Sequence, residues 1–107
     1  GRSEEVRSLI NTNVNLNAKN SIGRTALIYA TYNGHQDCVK LLIDARADLN
    51  IQDNVGNTAL IRAAANGHKD CVKLLIDARA DLNIQNLLGC TALIHAAYHG
   101  HKDCIKL

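Results

Sequence analysis

Apolar and polar residues follow one pattern along the chain, and that pattern returns every 33 residues. In the unit that begins at Thr25, an apolar segment over 25–33 is followed by Gly34 and by a second segment over 36–45. The apolar residues of the second segment recur at three- and four-residue spacing, which is typical of one buried helix face. A polar stretch with isolated apolar residues, 46–57, completes the unit and is typical of a turn or hairpin finger. Each unit is therefore predicted to fold as two helices and a finger.

Local signals support these boundaries. Thr25 precedes the first helix and can accept a hydrogen bond from an amide of its first turn, as an N-cap residue does. Asp37 lies in the first turn of the second helix, where a negative charge complements the helix dipole. The pattern predicts helices over 3–12, 25–33, 36–45, 58–66, 69–78, 91–99 and 102–107, and fingers over 46–57 and 79–90.

Self-similarity makes the chain a single repeat array. Two complete units are identical at 25 of their 33 positions, and the final, truncated unit matches its predecessor at 13 of 17. The opening segment is a more divergent, partial copy. Stacked units of this kind complete each other's hydrophobic cores, since one helix pair cannot bury its apolar face alone. The array spans 1–107, with units at 1–24, 25–57, 58–90 and 91–107.

The sequence looks like a section of a longer array, because it begins before a second helix and stops inside another. Its last helix carries Ile105 and Leu107 with no polar cap after them. Repeat arrays need polar terminal units for solubility, so we expect this C-terminal end either to fray or to self-associate with another molecule.

Composition and charge exclude several kinds of partner. The core is aliphatic, since the 107 residues contain no Trp, Phe or Met. A net charge of +2 is too small to predict a nucleic acid or an anionic membrane as the partner. No apolar run approaches the ~20 residues that a membrane span needs.

The cysteines are arranged for packing rather than for disulfide bonding. Cys38, Cys71 and Cys104 recur every 33 residues in the same local sequence. Equivalent positions in stacked helices lie about 8–10 Å apart, whereas a disulfide needs Cα atoms within about 7 Å. We therefore expect these three thiols to be buried and reduced, and Cys90, in a finger, to be the most exposed. Free thiols indicate a reducing, cytoplasmic location.

A His–Asp–Cys trio recurs in the repeats and raises the question of catalysis or metal binding. Its first copy is His35, Asp37 and Cys38. A catalytic nucleophile is normally unique, whereas this trio is repeated as a packing element would be. Two ligands per layer do not readily gather four around one zinc ion. Since there is no phosphate-binding loop and no paired-cysteine motif either, the sequence predicts no enzyme activity, no cofactor and no metal site.

The repeated motifs resemble the ankyrin repeat family over essentially the whole chain. They are the Gly-x-Thr-x-Leu opening, the Ala-Ala-x-x-Gly-His turn that ends at His68, and the Ala-Asp-Leu-Asn ending. The resemblance implies an all-α solenoid of stacked helix-turn-helix units with β-turn or hairpin fingers. The departures from the family pattern are Ala26, Ala59 and Ala92 in place of Pro, Ile28, Ile61 and Ile94 in place of His, and Arg46 and Arg79 in place of Gly. If the family's turn is kept, both arginines adopt a strained, left-handed backbone.

Positions that differ between near-identical units are the candidate contacts with a partner, because the constant positions hold the fold. The resemblance implies that fingertips and first helices line a concave surface where a partner protein or peptide docks. Tyr, Arg and His at these positions suit interface anchors. The candidate partner-binding residues are Ile22, Arg24, Tyr29, Tyr32, Asn33, Val55, Asn57, Arg62, Asn66, Leu87, Leu88, Cys90, His95, Tyr98 and His99.

Alternatives remain open at this point. Ile22, Val55 and Leu88 form an apolar column that is either exposed or packed between neighbouring fingers. Tyr29 and Tyr98 either contact a partner or cover the groove. The predicted function is a non-catalytic protein-interaction module. The alternatives are a structural or designed repeat scaffold without a native partner, and a targeting segment of a larger enzyme.

Overall fold

The computed structural model describes residue 4, residues 15–98 and residue 100. In the continuous part, the chain forms α1 (Ala26–Tyr32), α2 (Gln36–Asp44), α3 (Ala59–Ala65), α4 (Lys69–Asp77) and α5 (Ala92–Tyr98). The predicted all-α repeat fold is confirmed, and each of these helices begins and ends within one residue of its predicted bounds. The helices predicted over 3–12 and 102–107 lie outside the described residues, apart from Glu4. Within the described residues, no helix combines the length and the apolar character needed to span a bilayer.

Threonine starts the first helix of each described unit. Thr25 Oγ1 accepts a hydrogen bond from the Ile28 N–H at 3.2 Å, and Thr58 does the same for Ile61 at 3.2 Å. These bonds satisfy amides of the first turn, which have no partner inside the helix. Asp37 lies in the first turn of α2, as the sequence predicts.

The hydrophobic core runs continuously through the stacked units. α3 packs between α1 and α5, and α2 packs against α4. The largest fully buried side chains include Leu27, Leu60 and Leu75. Ile28 and Ile61, at two of the positions that depart from the family pattern, are also buried. The helix pairs of successive units therefore complete one another's cores, as repeat architectures require.

The second helices end in a left-handed turn that is occupied by arginine. The φ angles of Arg46 and Arg79 are 66° and 67°. The Arg46 N–H donates to the Ile43 carbonyl oxygen at 2.9 Å, and the Ala47 N–H donates to that of Leu42 at 3.0 Å. These two hydrogen bonds form the Schellman motif, in which glycine is the usual left-handed residue. The left-handed conformation expected of both arginines is confirmed.

The thiols that the structure describes are free. Cys38 and Cys71 are buried, and Cys90 is half-buried, so the predicted order of exposure is confirmed for these three. Cys104 lies outside the described residues.

Candidate functional site

One polar side chain organises the turn at each fingertip. Asp53 Oδ1 accepts hydrogen bonds from the backbone N–H groups of Val55 at 3.0 Å and Asn57 at 2.9 Å. Asn20 and Asn86 occupy the equivalent positions and accept the same pair of bonds in their own fingers. Because the turn amides are satisfied by this side chain, its position and the shape of the fingertip are fixed together.

Each of these three residues also binds a side chain nine residues further along the chain, on the first helix of the next unit. The pairs are Asn20–Tyr29 at 2.7 Å, Asp53–Arg62 at 2.8 Å and Asn86–His95 at 2.9 Å. These contacts join the finger turns and the first helices into one surface. We call it the finger–helix face. It comprises the first, second and third fingers (18–24, 51–57 and 84–90) and the helices α1, α3 and α5.

The Asn86 amide has a defined orientation. Its Oδ1 accepts from the backbone N–H groups of Leu88 at 2.9 Å and Cys90 at 3.0 Å, so its Nδ2 is the group that faces His95. His95 Nε2 is therefore the acceptor in this pair and carries no proton. Asn86 Nδ2 also donates to Asn57 Oδ1 at 2.9 Å, which links the second finger to the third.

The Asp53–Arg62 pair is largely buried. The Asp53 side chain is 2% exposed and that of Arg62 is 20% exposed. Burial raises the pKa of the Asp53 carboxyl, but the hydrogen bonds from Arg62, Asn57 and Val55 and the charge of Arg62 together lower it below its ordinary value. The carboxylate is therefore ionised at neutral pH and holds the arginine in place.

Arginine and tyrosine side chains are interleaved where the first finger, α1 and α3 meet. The Arg24 guanidinium lies 5.0 Å from the ring centroid of Tyr32 and 5.3 Å from that of Tyr29. The Arg62 guanidinium lies 5.7 Å from the Tyr32 centroid. All three distances are within the range of cation–π attraction. Arg62 is also paired with Asp53, whereas Arg24 has no carboxylate within ion-pair distance among the described residues.

Hydrogen bonds join neighbouring fingers to each other. The Asn54 N–H donates to the Ile22 carbonyl at 3.1 Å, and the Leu87 N–H donates to that of Val55 at 3.0 Å. Asn54 Nδ2 also donates to the Ser21 carbonyl at 3.0 Å. The fingertips thus form a continuous ridge in which neighbouring fingers are joined by these hydrogen bonds.

The apolar column at the fingertips is exposed rather than packed between fingers. Ile22 and Val55 are 46% and 49% exposed, and Leu88 is 85% exposed. Leu87, beside it, is also exposed, as is Tyr98 on α5. Of the two alternatives that the sequence leaves for this column, the structure supports exposure.

The remaining candidate residues take part in internal contacts to different degrees. Asn33 Nδ2 donates to the Tyr29 carbonyl at 2.9 Å, and Asn66 Nδ2 donates to that of Tyr32 at 3.4 Å, while both asparagines stay exposed. Arg62, Asn57 and His95 make the bonds described above, and Cys90 is half-buried. His99 lies outside the described residues.

The candidate residues predicted from the sequence do not include Asn20, Asp53 and Asn86, although these organise every described finger. A signal was present, because Asp53 and Asn86 differ between two otherwise similar units. They change together with their partners: the acid is paired with Arg62 and the amide with His95.

The repeated His–Asp–Cys trio does not converge on a reactive site. His68 Nε2 lies 2.9 Å from the Tyr32 carbonyl oxygen, so this ring donates to the preceding unit. Burial, together with the nearby Asp70 carboxylate, raises the pKa of the Cys71 thiol, which makes it a poor nucleophile. In the part of the chain that the structure describes, no group of three His, Cys, Asp or Glu side chains is arranged to hold a metal ion.

Comparison with known proteins agrees with this architecture. A search of curated proteins gave no significant match to the chain. The family profile described as ankyrin repeats (three copies) matches residues 1–53 and 46–107, and these two matches together extend over the whole chain. The chain therefore belongs to the ankyrin repeat family, in agreement with its helix pairs, its stacked core and its hydrogen-bonded fingers.

Proposed function

We propose that the chain binds a partner protein or peptide on the finger–helix face. Ankyrin repeats are generally protein–protein interaction modules. In this family the fingertips and first helices line a concave surface. Such a surface can contact an extended segment or a helix of a partner along several units at once.

The observation that carries the proposal is the concentration of exposed apolar and aromatic side chains on this face. Of the ten large apolar side chains that are exposed in the described residues, seven occupy fingertip or first-helix positions that vary between units. Such groups gain free energy when a partner removes them from water. The seven are Ile22, Tyr29, Tyr32, Val55, Leu87, Leu88 and Tyr98.

Polar groups on the same face support binding in a different way. Two hydrogen-bonded pairs are already formed in the chain without a partner: Asp53 with Arg62, and Asn86 with His95. A partner that docks there does not have to order these side chains, which lowers the entropic cost of association. The polar side chains that lie between the exposed apolar groups are therefore already ordered for binding.

A non-catalytic role in a reducing compartment is part of the same proposal. Members of the family are typically non-catalytic. Cys38, Cys71 and Cys90 are free thiols, and free thiols persist where glutathione and thioredoxin keep them reduced.

Selection from a random peptide display library tests the proposal with a defined probe. The selected peptides are labelled, and their affinities are measured by fluorescence anisotropy for the 107-residue chain and for Tyr32→Ala and Leu88→Ser. Ala65 occupies the position equivalent to Tyr32, so the fold accommodates Tyr32→Ala. We expect each substitution to weaken binding about tenfold, as loss of an interface anchor does.

Lys73→Gln provides the matched control, because Lys73 is exposed on α4 and lies off the finger–helix face. It should leave the affinity unchanged. Peptides whose affinity is unaffected by Tyr32→Ala and Leu88→Ser, or lowered as much by Lys73→Gln, would contradict binding on this face.

A further inference from the structure

We propose that the segment bound by this face is acidic, and that one of its carboxylates binds Arg24 on a platform formed by Tyr29 and Tyr32. The proposal rests on the proposed function, since it assumes that the finger–helix face is the binding surface. It adds the chemistry of the partner and the residue that recognises it.

Arg24 is oriented by the protein but is not neutralised by it. The rings of Tyr32 and Tyr29 lie 5.0 and 5.3 Å from its guanidinium, which restricts the side chain to this part of the face. Within the described residues, the guanidinium has no carboxylate partner and no hydrogen-bond acceptor. A planar guanidinium held against aromatic rings keeps its N–H groups free at the edge, where they match the two oxygens of a carboxylate.

The neighbouring arginine shows what such a side chain does when a carboxylate is available. Arg62 contacts the Tyr32 ring as Arg24 does, and its Nη2 and Nε also donate to Asp53 Oδ2 at 2.8 and 3.2 Å. Tyr32 therefore lies against two guanidinium groups, of which one has its anion and the other does not.

The fold does not require an arginine at this position. The finger uses the backbone N–H of Arg24, which donates to Asn20 Oδ1 at 2.9 Å, and not its side chain. Asn57 and Cys90 stand at the equivalent positions of the next two fingers and make the same backbone contact. The charge of Arg24 is thus an addition to the face, available to a partner.

The charge of the whole face favours the same partner. Lys19, Arg24 and Arg62 are basic, and Asp53 is the acidic residue of the face within the described part of the chain. Apart from Glu4, the other described carboxylates lie on the second helices or just after them, at Asp37, Asp44, Asp48, Asp70, Asp77 and Asp81. The same elements also carry Lys40, Arg46, Lys69, Lys73 and Arg79, so their formal charge is −1, against +2 on the finger–helix face. An acidic segment is therefore attracted to the finger–helix face more strongly than to the second helices.

The peptide selection described above also tests this inference. Peptides selected on the unmodified chain should be enriched in Asp and Glu relative to the starting library. A synthetic copy of one such peptide should bind about tenfold more weakly to Arg24→Asn, which copies Asn57, because a charge-assisted hydrogen bond is lost. Arg24→Lys keeps the charge without the planar donor group and should lose less. Binding should also weaken as salt is raised.

Lys40→Gln removes one positive charge from α2, away from the face, and should leave the affinity unchanged. Peptides without acidic enrichment that bind Arg24→Asn as well as the unmodified chain, yet are weakened by Leu88→Ser, would overturn the acidic segment and leave the proposed function standing. Peptides insensitive to Leu88→Ser and Tyr32→Ala as well would overturn both. A single-stranded oligothymidine that binds as tightly as the acidic peptides, with the same dependence on Arg24, would overturn the choice of a carboxylate ligand.

Discussion

Asp53 uses one carboxylate oxygen for its fingertip and the other for Arg62 on helix α3. Oδ1 accepts from the backbone N–H groups of Val55 and Asn57, and Oδ2 accepts from Arg62 Nη2 at 2.8 Å and Nε at 3.2 Å. One buried side chain therefore fixes the finger relative to the helix. In the next unit, Asn86 and His95 make the same connection with a neutral pair.

The first prediction is that Asp53 and Arg62 can be replaced by the Asn–His pair of the third finger only if both residues are changed together. Asp53→Asn should lower the free energy of unfolding by about 1–3 kcal/mol, because the new amide presents N–H donors to a guanidinium that has lost its acceptor. Adding Arg62→His should restore about 1 kcal/mol or more, since it reproduces the pair of the third finger. Urea unfolding of the two single variants and the double variant gives the coupling energy. Asp44→Asn, an exposed acid on α2, is the control. Strictly additive losses would show that the two residues act independently.

The second prediction concerns pH. The pKa of Asp53 is lowered in the folded chain, so its ionised form is preferred there more than in the unfolded chain. Its contribution to stability is fully present above the unfolded pKa of about 3.9 and is lost as the pH falls through the lower folded value. Urea unfolding of the unmodified chain and of Asp53→Asn should therefore differ most near neutral pH and converge below about pH 3.9. A difference that stayed constant across this range would contradict an ionised Asp53 as the source.

The sequence predicts the helices well because each is bounded by strong local signals that recur at a fixed period. Thr25 caps α1, and Asp37 lies in the first turn of α2. Arg46 takes the conformation of the glycine that the family places there. These features depend on neighbours in the chain, so they are legible without the structure.

The contacts within the finger–helix face are harder to predict from the sequence. A position that varies between units contacts either a partner or another varying residue of the chain, and the sequence alone does not separate the two. The sequence therefore predicts Arg62 as a partner contact and does not identify Asp53 as its internal partner. Between the two units, Asp53 is replaced by Asn86 and its partner Arg62 by His95, so both members of the pair change together. The members are nine residues apart, and the geometry of the intervening turn determines that they meet. Similarly, the exposure of Leu88 depends on where the finger points its side chains.

The third prediction concerns the thiols. Cys90 should react with iodoacetamide before Cys38 and Cys71, because it is half-buried and they are buried. Cys71 should be the slowest, since it is 1% exposed and its pKa is raised. Mass spectrometry of peptides taken over time measures the three rates. A sample unfolded in urea, in which the rates should become similar, is the control. Equal rates in the native chain would contradict the burial seen here.

The fourth prediction is that glycine at the left-handed arginines stabilises the chain. A side chain with a Cβ costs roughly 1–2 kcal/mol at these angles. Arg46→Gly or Arg79→Gly should therefore raise the free energy of unfolding by about 1 kcal/mol each, less the entropy that glycine gives the unfolded chain. Arg46→Ala keeps the Cβ and should give no such gain, which separates backbone strain from loss of the arginine side chain. A clear loss of stability in both glycine variants would mean that the arginine side chains contribute more than the strain costs.

The fifth prediction compares two fingertip glycines that differ in one respect. Gly56 and Gly89 have φ angles of 83° and 78°, so alanine at either position carries the same left-handed strain. A Cβ on Gly56 would lie 2.8 Å from Asn86 Cα and 2.9 Å from the Leu87 nitrogen, whereas one on Gly89 would have no neighbour within 4 Å. Backbone atoms of the next finger cannot move aside as a side-chain tip can. Gly56→Ala should therefore be more destabilising than Gly89→Ala by about 1–3 kcal/mol, the usual cost of overpacking.

The same comparison links finger stacking to the proposed function. Gly56→Ala should push the third finger away and weaken the hydrogen bond from the Leu87 N–H to the Val55 carbonyl, which is 3.0 Å long. Since Leu87 and Leu88 are the most exposed apolar groups of the fingertips, their displacement should weaken binding of the selected peptides. Gly89→Ala has no next finger against it in the described residues and should affect binding less. Urea unfolding and fluorescence anisotropy on both variants measure the two effects. Equal losses of stability would show that the contact between fingers yields freely, and the fingertips would then not form the rigid ridge on which the binding surface depends.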